Sequence, residues 1–261
     1  MNAVTLTETQ PAHASWRVRA VLREIQYEFI RLARNRAYAI SVLGLPLLFY
    51  AVFGLGQHNV QAARYLIVGY SCMGLGSACL FGIGLSIAFE RAQGWLELKW
   101  ASPMPRLAYL TAKMVASAVF ALLVLALLLA LGHWAAGVTV TVAQTVHLAL
   151  ILLVGSVPFT ALGLVIALRV PPNAGAGLIN LVYLPLCMFS GFWIPVTELP
   201  HWMQRIAPVL PTYHLAELAL AVLHFAPRQG ALTHWLVLAG FSALMFAVAW
   251  ITFLLSDTRS P

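Results

Sequence analysis

The side chains able to do chemistry are sparse in this sequence, and most stand alone. His201, His214 and Glu217 fall in one late segment, and His214 and Glu217 lie within one helical turn. That spacing suits acid–base work, but no nucleophile or metal cluster accompanies it, so an intramembrane enzyme is only an alternative. Cys72, Cys79 and Cys187 all sit in apolar runs without CxxC spacing or neighbouring His ligands, which makes them small packing residues. His147, near the start of another apolar run, has no acidic partner close in sequence and suits an interfacial, neutral, hydrogen-bonded role. No metal site is expected.

Phosphate chemistry is excluded by one familiar route. The only lysines are Lys99 and Lys113, and neither follows the glycine pattern of a phosphate loop. An HExxH metal helix, a G-x-S-x-G elbow and paired intramembrane carboxylates are also missing from the sequence. Active transport by this chain would therefore need energy from another subunit.

One charged stretch interrupts the apolar runs: Glu90 to Lys113, ERAQGWLELKWASPMPRLAYLTAK. Glu90, Arg91 and Glu97 offer charges to a partner, and Trp95, Leu96 and Trp100 offer the aromatic and aliphatic anchors that dominate interface energies. Pro103 and Pro105 predict that a helix here ends near Ala101, with Arg106 opening the next element. An ordinary solvated loop is the plainer alternative.

The elements that position this stretch are membrane spans. Of 261 residues, 61% are hydrophobic and 9% charged, against roughly 25% charged in a soluble domain. A crossing helix needs about 20 mostly apolar residues, and six fit: 38–55, 65–89, 108–131, 146–168, 173–190 and 233–255. The chain thus reads as an all-α membrane protein with a leader over 1–36, a transmembrane domain over 37–255 containing a loop at 90–107, and a tail over 256–261. Pro46 and Pro158 predict bends. Gln57 to Arg64 reads as a short turn, making the first two spans a hairpin.

Before the first span, Val18, Leu22, Ile25, Phe29 and Leu32 recur at three- and four-residue spacing among arginines. This predicts an amphipathic helix lying in a membrane interface, with packing on a partner protein as the alternative. The second span carries Gly74, Ala78, Gly82 and Ser86, a small-residue stripe suited to close helix packing. The fifth span is the most polar, with Asn173, Asn180, Tyr183 and Ser190. These residues are candidates to line a pathway, and helix packing is an equal alternative. Over 191–225, Pro195, Pro200, Pro208 and Pro211 cut the apolar residues into pieces too short to cross. A re-entrant helical hairpin at one surface is expected there.

With six spans, both termini share a side with the 90–107 loop. That side holds twelve of the fifteen basic residues, the other only Arg64, Arg205 and Arg228. The positive-inside rule makes the first side cytoplasmic. The same bias accounts for the net charge of +7, so no nucleic-acid partner is inferred.

The segment Glu90, Arg91, Gly94, Leu96, Glu97, Ser102, Pro103, Arg106 and Leu107, closing on Lys113, resembles the cytoplasmic loop of type-2 ABC exporter permeases. Ser190, Gly191, Pro195, Leu199, Pro200, Pro211 and His214 resemble that family's motif at the end of the fifth span and its return helices. Trp95 stands where such permeases usually carry a small hydroxyl residue. Leu220 occupies a position where polysaccharide exporters commonly carry a basic or amide residue, which counts against a polysaccharide cargo. The resemblance implies a half-transporter in a bacterial inner membrane: two copies form the pathway, and two separate ATPase subunits dock on the cytoplasmic face. ATP and Mg would be bound in those partners, with no cofactor in this chain. The element from Glu90 to Trp100 would be the coupling helix, and the cargo an amphipathic, lipid-like or drug-like molecule moved outward.

Overall fold

The computed structural model describes residues 12–101, 106–227 and 230–257. The described residues are helical, without a strand. The order is α1 (Ala12–Arg34), α2 (Arg36–Gly54), α3 (Val60–Ala92), α4 (Trp95–Trp100), α5 (Arg106–Ala136), α6 (Val142–Arg169), α7 (Pro172–Phe189), α8 (His201–Ile206), α9 (Pro211–Val222) and α10 (Ala231–Asp257). Six of these contain stretches long and apolar enough to cross a membrane: α2, α3, α5, α6, α7 and α10.

The bundle is built around α3. Most of α3 is buried, whereas most of α7 and of α10 is not, so α3 is the hub and the other two are flanks. Small residues make that position possible. A Cβ on Gly74 would lie 2.5 Å from Val124, and one on Gly82 would lie 2.5 Å from the Ser117 hydroxyl, so this side of α3 meets α5 at nearly backbone distance. Tyr183 of α7 fills the space over Gly76, where a Cβ would come within 2.0 Å of its hydroxyl. That hydroxyl donates to Met73 O at 2.8 Å, which anchors the fifth span to the hub.

Local chemistry sets the boundaries. The Asn59 side chain accepts from Gln61 N at 2.8 Å and starts α3 at Val60, so the second half of the expected polar turn is helix rather than loop. At the other end α3 continues through Glu90 and Arg91 to Ala92, and the charged stretch begins on a helix already anchored in the bundle. Thr141 and Gln144 form a reciprocal capping box at the start of α6. In α2, π-helical turns at Ile40–Gly44 and Tyr50–Gly54 flank the α turn that holds Pro46, the residue expected to bend this span.

Between α7 and α10, short pieces replace a crossing helix. α8 has 6 residues and α9 has 12, and at 1.5 Å per residue neither covers a core of roughly 30 Å. Pro200 and Pro211 sit at the starts of these helices, and a 3₁₀ turn at Ala207–Val209 divides them. α9 packs against α3, α6 and α10 and is buried on most sides.

α1 packs along α5. The stripe read as one apolar face divides: Leu32 is buried and Phe29 stacks near Phe120, with centroids 5.4 Å apart, while Val18 and Leu22 are exposed. Glu28 lies on the buried side.

Candidate functional site: a braced helix at one end of the bundle

The end of α3 makes a tight turn through Gln93 and Gly94 before α4. Gly94 has φ +73°, a left-handed conformation that glycine adopts without strain, and it redirects the chain across the end of the bundle. In the short α4, Leu96 is buried with Ile83, Ile87, Tyr109 and Ala167. Trp95 and Leu98, one turn apart, are 59% and 76% exposed. Leu96 thus seats the helix in the bundle, and two large apolar side chains face outward. The side chains of Glu97 and Trp100 lie outside the described residues, as do Ser102 and Pro103; the backbone places positions 97 and 100 on α4.

A charge network holds this element from behind. Lys113 on α5 is fully buried, and its Nζ lies 2.9 Å from Glu28 Oε1, 2.8 Å from Glu90 Oε1 and 2.8 Å from Ser86 Oγ. Tyr109 donates to Glu90 Oε2 at 2.6 Å. Arg31 pairs with Glu28 at 2.5 Å and also with Glu90 and Ser86. Lys99 on α4 reaches Glu24 at 3.0 Å and stands 4.6 Å above the Tyr109 ring. Three carboxylates thus face three cations, joining α1, the end of α3, α4 and the start of α5. Burial works against the charge on Arg31, but Glu28 and Glu90 outweigh it and hold the guanidinium pKa above its ordinary value.

Glu90 therefore faces inward, 4% exposed, rather than toward a partner. Arg91 donates to Leu168 O at 2.5 Å, satisfying a carbonyl in the last turn of α6 and bracing the turn against the fourth span. Arg169 donates to Thr252 Oγ1 at 2.9 Å on α10. The ends of α3, α6 and α10 and the start of α5 thus gather with α1 and α4 at one end of the bundle. Arg64, which donates to Gln144 Oε1 at 3.2 Å, marks the opposite end.

Sequence reasoning missed this network. By sequence Lys113 only closes the charged stretch and Glu28 falls within the leader over 1–36. The available signal was a lone lysine one helical turn inside a long apolar run, which requires a carboxylate to accompany it into the bundle.

The remaining candidates divide. Tyr183 and Ser190 are buried, and Ser190 pairs with Thr212 at the junction of α7 and α9. Asn173 and Asn180 are exposed on a flank of α7, at the edge of the buried face made by Gly175, Ile179, Tyr183 and Cys187. Gly191, at φ +79°, turns the chain out of α7, and its carbonyl accepts from Tyr65. Pro195 precedes a 3₁₀ turn at Val196–Glu198. His214 has both ring nitrogens engaged, with Nδ1 2.8 Å from His234 Nδ1 and Nε2 2.8 Å from Pro208 O, so in this arrangement it ties α9 to α10. Burial pushes the Glu217 carboxyl above the ordinary carboxylate range. The three cysteines are buried and free.

The described residues thus hold six apolar spans, a short braced helix at one end and short helices before the last span. Residues 20–224 match the family model described as ABC-2 type transporter, and the chain belongs to that family. A transport permease by name, YvfS of Bacillus subtilis (strain 168), is 29% identical over 195 residues, covering 72% of this chain and 78% of that protein.

Proposed function

We propose that this chain is the membrane subunit of an ATP-driven exporter, with two copies forming the pathway and separate cytoplasmic ATPase subunits docking on α4. The observation that carries the reading is the pairing of an exposed Trp95–Leu98 face with a helix braced at Leu96 and Lys99, after a turn held by Arg91. An exposed apolar pair on a rigid mount suits a partner that pushes on it. Glu90 and Arg91 serve as positioning residues, while Trp95, Glu97 and Trp100 are the contacts offered to the ATPase. Closure of the ATPases on ATP would move α4 and, through Glu90 and Arg91, the ends of α3 and α6.

The basic residues on the α4 side support a cytoplasmic placement of that end and of both termini in a bacterial inner membrane. α8 and α9 then form a re-entrant unit at the outer surface, with Pro200, Pro211 and His214 shaping it, and α1 lies in the inner interface with Val18 and Leu22 toward lipid. The exposed Asn173 and Asn180 suit a pathway shared with the second copy. The cargo is amphipathic or lipid-like, moved outward.

Reconstituting the chain with its candidate ATPase in vesicles tests the reading. Cargo-dependent ATP hydrolysis and accumulation on the side away from the ATPase are expected. A stable homodimer that recruits no ATPase would overturn it.

A further inference from the structure

His214 lies in the first turn of α9 and His234, 20 residues on, in the first turn of α10, and their Nδ1 atoms stand 2.8 Å apart. On its other side His214 Nε2 lies 2.8 Å from Pro208 O, in the 3₁₀ turn ahead of α9. A carbonyl oxygen only accepts, so this Nε2 carries a hydrogen, and the neutral imidazole then leaves Nδ1 as an acceptor. His234 must therefore donate from its own Nδ1. The hydrogen-bond network thus assigns both tautomers. The one ring nitrogen of the pair without a partner among the described residues is Nε2 of His234.

Such a pair accepts one proton but not two. A proton on His234 Nε2 leaves the contact intact and makes its donor cationic, which strengthens it. A second proton can go only to His214 Nδ1, where two N–H groups and two charges would then face each other across 2.8 Å. His214 is buried, and a buried charge needs a partner. Tyr213, with its ring centroid 5.3 Å from His214 and 6.1 Å from His234, is uncharged. Glu217, the one carboxylate on α9, lies one turn on and pairs with neither ring among the described residues. α3 brings Tyr65, which donates to Gly191 O, α7 brings the uncharged Ser190 against Thr212, and α6 brings His147, beside Trp235.

Beyond the pair, the seam between α9 and α10 is open. A groove of about 350 Å³ lies there, lined by Leu218 and Val222 of α9, Ala231 and Trp235 of α10 and His147 of α6. The chain turns at both ends of α9: Pro211 opens it after an extended Leu210, and His224 beyond it adopts φ +66°. A 12-residue helix bounded in this way moves as a unit once its tie is lost. We propose that His214 and His234 form an acid-released latch between the short helices and the last span. The latched state holds at most one proton and the released state holds two, so acid favours release. Release parts α9 from α10 and widens the groove. That this end faces outward rests on the membrane placement proposed above; the latch does not.

Hydrogen–deuterium exchange of the purified full chain in nanodiscs, with labelling times matched to the intrinsic rate at each pH, tests the latch without any ATPase. With released histidines titrating at about 6.5, the release equilibrium grows about tenfold from about pH 6 to about pH 5, read as lost protection over 212–218 and 231–236. His234→Asn supplies an amide that donates to His214 Nδ1 when that ring is neutral and accepts from it when charged, so the tie persists and the pH dependence is lost. His234→Phe removes the tie, and protection is low and flat with pH. Glu217→Gln keeps the rise in acid, because protonation of this buried carboxyl favours the folded state and acts in the opposite direction. Flat exchange in the parent, or a parent-like rise in His234→Asn, overturns the proposal. In sealed vesicles, release driven by acid on the α4 side alone would instead contradict the membrane placement and leave the latch standing.

Discussion

Lys113 Nζ lies 2.8 Å from Glu90 Oε1, and this buried contact joins the start of the third span to the end of the second directly behind the exposed α4. Both residues are nearly inaccessible, so neither charge can be left without the other at small cost.

Lys113→Met leaves Glu28 with Arg31 alone, and Glu90 with Arg31 and the more distant Lys99 at 3.9 Å. Removing one member of a buried charge set costs about 3 kcal/mol or more, which corresponds to a fall of roughly 6 °C or more in melting temperature. Adding Glu28→Gln to that variant recovers part of the loss. Thermal unfolding in detergent of the two variants beside the parent measures both effects.

Trp95→Asp and Leu98→Asp touch exposed positions and leave the melting temperature within about 1 °C of the parent. If both are central to docking, each weakens ATPase association by about 2 kcal/mol, roughly 30-fold in Kd. Titrating the ATPase onto the reconstituted permease reads this directly.

Gly76→Ala drives a methyl group into the Tyr183 hydroxyl, only 2.0 Å from where the new carbon would sit. Overpacking of this kind costs about 1–3 kcal/mol. Because ring carbons of Tyr183 also lie 2.4 and 2.6 Å from that point, the cost of Gly76→Ala is expected to be smaller in a Tyr183→Ala background than in the parent, which distinguishes a local clash from general damage to α3.

Glu217 binds its proton more tightly folded than unfolded, because burial disfavours the carboxylate. Its contribution is fully present below the ordinary carboxylate pKa and is lost as pH rises through the elevated folded value. Glu217→Gln is therefore more stable than the parent near neutral pH, and the difference vanishes in acid. Melting temperatures across that range give the comparison.

The spans were legible because apolar runs of about 20 residues have few alternatives, and the stripe of Gly74 and Gly82 stated its own packing role. The short helix was legible only in part: the element read from Glu90 to Trp100 is divided by the turn at Gln93 and Gly94 into the end of α3 and α4. What the sequence hid was direction. Glu90 lies only four residues before Gly94 yet faces inward, because α3 continues helically through it and turns that side toward Tyr109 and Lys113. The pairing of Glu28 with Lys113 spans 85 residues, and no local pattern specifies such a contact. His214 likewise resembled an acid–base group until His234, 20 residues on, supplied its partner.

Docking of an ATPase on α4, as proposed, can be read by crosslinking. A photoreactive amino acid at Leu98, 76% exposed, crosslinked in native membranes and identified by mass spectrometry, tests it most directly. An adduct with a soluble protein that carries a phosphate loop is expected, lost when Trp95 is changed to Asp. Adducts confined to lipid or to a second copy of this chain, with no ATPase among them, would contradict it.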